Sequence, residues 1–199
     1  MRLLVETDRR LVPFTILGLE HPVYMPWGDS VVGGIIDRLD CVADPGTGEE
    51  RIRVIDYKTG ARHLRPLPDV DAIFDPAQIP NHSDYYLQAF LYSHIVRQQP
   101  VVNASARPEG ALPAERDTRM SNVPVSLLLL FIQHAGAEGY DPTLVIGREP
   151  VADIAAHSDR FISLLQETIE AIFSPDLCFT PTDDRNRCRS CPYAALCGR

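Results

Sequence analysis

The stretch that most constrains this chain is Ile52-Arg53-Val54-Ile55-Asp56-Tyr57-Lys58-Thr59-Gly60. Its apolar, β-branched run predicts a strand, and side chains on a strand alternate between two faces. Ile52, Val54, Asp56 and Lys58 then share one face, and Arg53, Ile55 and Tyr57 the other. An acid and a base two residues apart at the mouth of such a strand read in two ways. They form a surface ion pair, which is common and individually weak, or they belong to a site. A second β-rich run upstream, Gly33-Gly34-Ile35-Ile36-Asp37-Arg38-Leu39-Asp40, delivers another acid, Asp37. Two acids and one lysine on strands that a short hairpin can pair make a plausible hydrolytic metal site. The intervening residues 43–50 are rich in turn formers and fit that hairpin.

Around this pair, residues 11–26 read as a first strand, bounded by prolines. Glu20 lies within it, either as an exposed edge residue or as a further acid of the site. Strands are expected over 30–42 and 51–58. Residues 61–82 have no period; Arg62, His63 and Arg65 near their start make either a phosphate-contacting loop or a solvated one. From 84 to 98 the apolar residues Leu87, Phe90, Leu91, Ile95 and Val96 recur at helical steps behind Ser83, a fair N-cap. Gln88 and Tyr92 share one face of that helix, as a core pair with satisfied hydrogen bonds or as residues turned toward substrate. Residues 100–122 read as a loop. The almost wholly apolar run 123–133 suits a strand buried on both faces. A short strand near 143–146 and an amphipathic helix over 151–173 follow. The expected fold class is α/β, a mixed central sheet of four or five strands flanked by α-helices.

At 199 residues, the chain is long enough for one domain with a real core. Its 45% hydrophobic and 23% charged residues fit a globular rather than a disordered chain. No run of 18 apolar residues occurs, so no membrane span is expected. The N-terminus is too polar for a signal peptide, and the expected compartment is the cytoplasm. A net charge of −8 argues against whole-surface adhesion to nucleic acid. It leaves room for a local basic patch and for acids that hold divalent cations.

Three of the five cysteines fall in the last twelve residues. Cys188, Cys191 and Cys197 are spaced C-x2-C-x5-C, and a two-residue gap lets both thiolates face one ion, as in zinc and iron–sulfur centres. Cys178 is available as a fourth ligand; the plainer reading is free thiols in a loose tail. Residues 1–175 are expected to form the main body and 176–199 a cysteine-rich tail of the same domain.

With these residues in view, the chain resembles the PD-(D/E)XK nuclease superfamily in its RecB-like branch, which includes AddB-type nuclease domains and CRISPR-adaptation exonucleases. Gly34-Ile35-Ile36-Asp37 matches a G-x-I-D strand, Asp56-Tyr57-Lys58 a D-x-K strand and Gln88-Ala89-Phe90-Leu91-Tyr92 a Q-x-x-x-Y helix. The C-terminal cysteine triplet around Pro192-Tyr193 follows in family order. The resemblance implies a restriction-endonuclease-like core and a metal-dependent phosphodiesterase acting on DNA. Asp37, Asp56 and the Tyr57 carbonyl would bind Mg²⁺ or Mn²⁺, and Lys58 would position or activate the attacking water. Gln88 and Tyr92 would support the site, with Glu20 at the acidic position of the first core strand. The cysteines would be ligands of a [4Fe–4S] cluster, and the partner a helicase domain or subunit. The family's N-terminal helical part is absent from the motif order, so the chain is expected to start just before its first strand. The contrasting reading is a catalytically silent nuclease-like module for DNA binding or subunit docking.

Overall fold

The strand carrying Asp56 and Lys58 is β3, Glu50–Lys58, in a computed structural model that describes residues 2–43, 46–60, 64–98, 123–178 and 180–198. It is an inner strand of a four-stranded sheet with the order β1-β2-β3-β4, the others being Phe14–Trp27, Ser30–Ala43 and Val125–Phe131. β1–β2 and β2–β3 pair antiparallel, and β3–β4 pair parallel. The antiparallel steps need only tight turns, whereas the parallel step needs a crossover. That crossover contains helix α2, Ser83–Gln98. The mixed sheet with helices against it is a restriction-endonuclease-like α/β fold. The chain divides into two units, Met1–Leu164 and Leu165–Arg199. Among the described residues, no helix is long and apolar enough to cross a membrane.

All seven residues of β4, Ser126 included, are buried, as expected of an almost wholly apolar run. On one sheet face Ile55, Leu128, Leu130 and Ala135 form a cluster, with Tyr57 and Ile132 against it. On the other face α2 brings in Phe90, whose ring lies 5.4 Å from that of Phe161. Phe161 belongs to helix α3, Ala155–Phe173.

The face that carries Tyr57 also buries charge. Asp40, with none of its side chain exposed, takes hydrogen bonds from Arg38 Nε at 2.8 Å and from Arg53 Nε and Nη2 at 2.7 and 2.9 Å. Arg38 Nη1 reaches Asp8 at 2.8 Å and the Tyr57 hydroxyl at 3.3 Å, and its guanidinium lies 4.4 Å from the Phe14 ring centroid. Burial alone would lower the Arg38 pKa, but its bonds to Tyr57 and Asp8 and the charge of Asp40 outweigh this and raise it. The cluster ties together β2, β3 and the N-terminal helix.

That helix, α1, spans Arg2–Leu11, where the sequence reading expected the chain to enter its first strand directly. Ten residues are too few for a helix to stand alone in water; the Asp8–Arg38 pair is a tertiary contact that no local pattern announces. Three further differences concern loops. Residues 64–81 are more ordered than a solvated loop: Leu67, Val70, Ala72 and Ile73 are buried, and Asp71–Ile73 and Pro76–Asn81 are 3-10 turns. The short strand expected near 143–146 is β5, Val145–Ile146, which pairs with β6, Glu149–Pro150, in a separate sheet. Helix α3 starts at Ala155 rather than 151, because Asp153 accepts the Ala155 N–H in capping fashion. The loop expected at 100–122 lies outside the described residues.

Candidate active site

The β2–β3 ladder runs from Ala43/Glu50 to Arg38/Ile55. Beyond it, the Asp37 carboxylate accepts the Tyr57 backbone N–H at 2.7 Å. This bond brings the acid of β2 against the Asp56-Tyr57-Lys58 segment of β3. Asp56 and Lys58 share a face, as alternation requires, and Lys58 Nζ lies 2.7 Å from Asp56 Oδ2. Their side chains are only 10% and 15% exposed, so this is no ordinary surface pair.

Helix α2 closes the site from the same side. Lys58 Nζ donates to Gln88 Oε1 at 3.0 Å, and Gln88 Nε2 donates to the Tyr92 hydroxyl at 3.3 Å. The amide orientation follows from its neighbours, since the flipped form would aim an NH2 at an ammonium. One turn back on the helix, the Tyr85 ring centroid lies 4.2 Å from Lys58 Nζ, a cation–π contact. The motif reading missed Tyr85. Its spacing of three from Gln88 and seven from Tyr92 places all three on one helix face. Tyr92 in turn explains Gly34: a Cβ at that glycine would stand 2.2 Å from the Tyr92 hydroxyl oxygen.

Asp56 is a buried acid with the charge of a second acid, Asp37, acting on it. Burial raises its pKa; the Lys58 hydrogen bond and charge oppose the rise, and the charge of Asp37 adds to it. Lys58 Nζ stands 2.7 Å from the buried Asp56 Oδ2, close enough for charge to hold the pair. Asp37, Asp56 and the Tyr57 carbonyl make a hard oxygen set, which fits a small divalent cation.

Other residues singled out in the sequence stand apart from this group. Glu20 lies between the register pairs Leu19/Arg38 and His21/Ile36, which brackets it opposite Asp37. It is exposed, with a φ of 46°. Among the described residues, no three His, Cys, Asp or Glu side chains gather to hold a metal ion. A Glu20–Asp37–Asp56 triad is therefore not assembled, nor is a cluster of Cys188, Cys191 and Cys197. Those cysteines belong to the second unit, where Cys188 ends helix α4, Arg185–Cys188, and Cys191 and Cys197 are exposed. Cys178 is exposed as well. Arg65 is exposed, and its carbonyl accepts from the Tyr86 hydroxyl at 3.5 Å. Arg62 and His63 lie outside the described residues.

Asp56 and Gln88 thus meet on Lys58, with Asp37 of β2 bonded to the neighbouring Tyr57 N–H and Tyr92 bonded to Gln88. No curated protein matches the chain. The model of the PD-(D/E)XK nuclease superfamily matches residues 1–198, and the chain therefore belongs to the PD-(D/E)XK nuclease superfamily.

Proposed function

We propose that the chain is a Mg²⁺- or Mn²⁺-dependent deoxyribonuclease, the exonuclease part of a helicase–nuclease in recombination and repair. The observation that carries the catalytic reading is Lys58, held between Asp56 and Gln88 at 2.7 and 3.0 Å with Asp37 alongside. Asp37, Asp56 and the Tyr57 carbonyl would hold the cation. When bound, it polarises a phosphoryl oxygen and makes water a better nucleophile. The Lys58 ammonium supplies fixed positive charge where the scissile phosphate gains negative charge. Gln88 aims that ammonium, and Tyr92 fixes Gln88. Such a constellation costs stability, because it buries an acid whose pKa is raised, and a silent docking module has no need of it.

Cleavage of end-labelled single- and double-stranded DNA with Mg²⁺, Mn²⁺ or EDTA, beside Lys58→Ala, tests this. Metal-dependent cleavage absent from the variant is expected; equal cleavage by the variant would overturn it. Tight DNA binding without cleavage under either metal favours the docking module. The helicase association rests on the resemblance to the RecB-like branch; the basic loop of Arg62, His63 and Arg65 against DNA rests on its place in the sequence directly after the Asp56–Lys58 segment. The C-x2-C-x5-C spacing supports a [4Fe–4S] centre on Cys188, Cys191 and Cys197 with a further ligand. Brown colour and bound iron in anaerobically purified protein are expected, and colourless, iron-free protein would remove that element.

A further inference from the structure

We propose that a pocket beside Lys58 receives one unpaired base of the DNA strand, so that the substrate is single-stranded or frayed DNA. The inference rests on the nuclease reading above and deepens it. The pocket has a volume of about 360 Å³, within the roughly 300–1,000 Å³ of small-ligand sites. Leu129 and Phe131 of β4 form its floor. They are the register partners of Asp56 and Lys58, so pocket and site lie side by side on one sheet face. Leu64, Tyr86, His134 and Tyr140 help to wall it.

Aromatic rings lead from the lysine into this pocket. The Tyr85 ring touching Lys58 lies 6.5 Å from Phe131, Phe131 lies 6.3 Å from His134, and His134 lies 6.1 Å from Tyr140. The phenol hydroxyls are tied to backbone. That of Tyr140 accepts the Phe131 N–H at 2.8 Å and donates to the Leu129 carbonyl at 3.2 Å. That of Tyr86 donates to the Val145 carbonyl at 3.1 Å. The partly exposed rings of Tyr140 and His134 are what face an occupant, whereas Tyr86 is buried and braces the wall. Among the described residues, no Lys or Arg lines the pocket and Asp141 does, a lining that suits a neutral, planar, amine-bearing ring better than a phosphate. Base–aromatic stacking needs no particular sequence, but a base must leave the duplex to make it.

The test is binding in EDTA, which separates it from cleavage. A single strand carrying 2-aminopurine is titrated with the full chain, beside the same strand with an abasic site at each position in turn. A change in 2-aminopurine emission is expected, with about tenfold weaker binding when the missing base is the one that enters the pocket. His134→Ala should weaken the intact strand and leave the abasic one unchanged. Thr143→Phe, which fills the pocket and removes no ring, should do the same and serves if the first variant fails to fold. Equal affinity for intact and abasic strands at every position, or no binding of the strand at all, would overturn the pocket. Cleavage of DNA without base discrimination would overturn the pocket alone. Base discrimination without cleavage under any metal would overturn the nuclease reading alone.

Discussion

Replacing Gly34 by Ala tests whether the glycine of the β2 motif exists for the sake of a tyrosine on α2. The added Cβ would stand 2.2 Å from the Tyr92 hydroxyl oxygen and 2.8 Å from Cε1 and Cζ of the same ring. All three distances are shorter than real contacts allow. Tyr92 is only 8% exposed, so its ring has little room to move aside. Gly34 lies outside the left-handed region, and the cost is therefore one of contact rather than of backbone strain. Overpacking of this kind costs about 1–3 kcal/mol, or a fall in Tm of about 2–12 °C for a chain of this size. The displaced hydroxyl also releases Gln88, which aims Lys58, so cleavage should fall more than stability alone explains. A double-mutant cycle isolates the contact, because Tyr92→Leu removes all three clashing atoms. In that background Gly34→Ala should cost less than about 0.5 kcal/mol, leaving a coupling of about 0.5–3 kcal/mol. Thermal melts of the four proteins give the cycle. An equal loss in both backgrounds would refute the reasoning.

Asp56 has a folded-state pKa above its unfolded value of 3.8, chiefly through burial. Its contribution to stability is thus present below pH 3.8 and lost as pH rises through the raised value. In metal-free protein at pH 7, Asp56→Asn should therefore melt higher than wild type and give no cleavage; a lower melting temperature would contradict the assignment. Asp40→Ala strands Arg38 and Arg53 without their shared carboxylate and should cost about 3–5 kcal/mol, read from urea unfolding; a loss under about 1 kcal/mol would show that the cluster relaxes into water. His94 is buried, with no partner for its Nδ1 among the described residues and its pKa lowered by burial and by Arg97. Its neutral form supports the fold above pH 6.5, and that support is lost as pH falls through the lowered value. The wild-type urea midpoint should fall between pH 7 and 5, and His94→Leu should fall less; parallel curves would exclude His94 as the cause.

Local pattern determined much of this protein. Alternation along 52–58 set Asp56 and Lys58 on one face, the almost wholly apolar run marked β4 as a strand buried on both faces, and helical spacing put Gln88 one turn from Tyr92. The first and last are periodicities of two and 3.6 residues, and all three are written within a few neighbours and so readable without the fold. What only the tertiary structure decided depends on residues far apart in the chain. Arg38 finds Asp8 across thirty positions, Lys58 finds Gln88 across thirty more, and Gly34 is required by a ring on another element. The helix before β1 escaped notice because its anchoring pair lies on a strand. The loop after β3 escaped because Leu67 pairs with Ile146 of β5 and the Asp71–Ile73 turn packs against α2, both distant in sequence. The aromatic pocket escaped for the same reason: Tyr86, Phe131 and Tyr140 lie in three segments that a parallel strand crossover alone brings together. Sequence carries the chemistry of each side chain, whereas the company it keeps is set by strand order and register, which non-local burial selects.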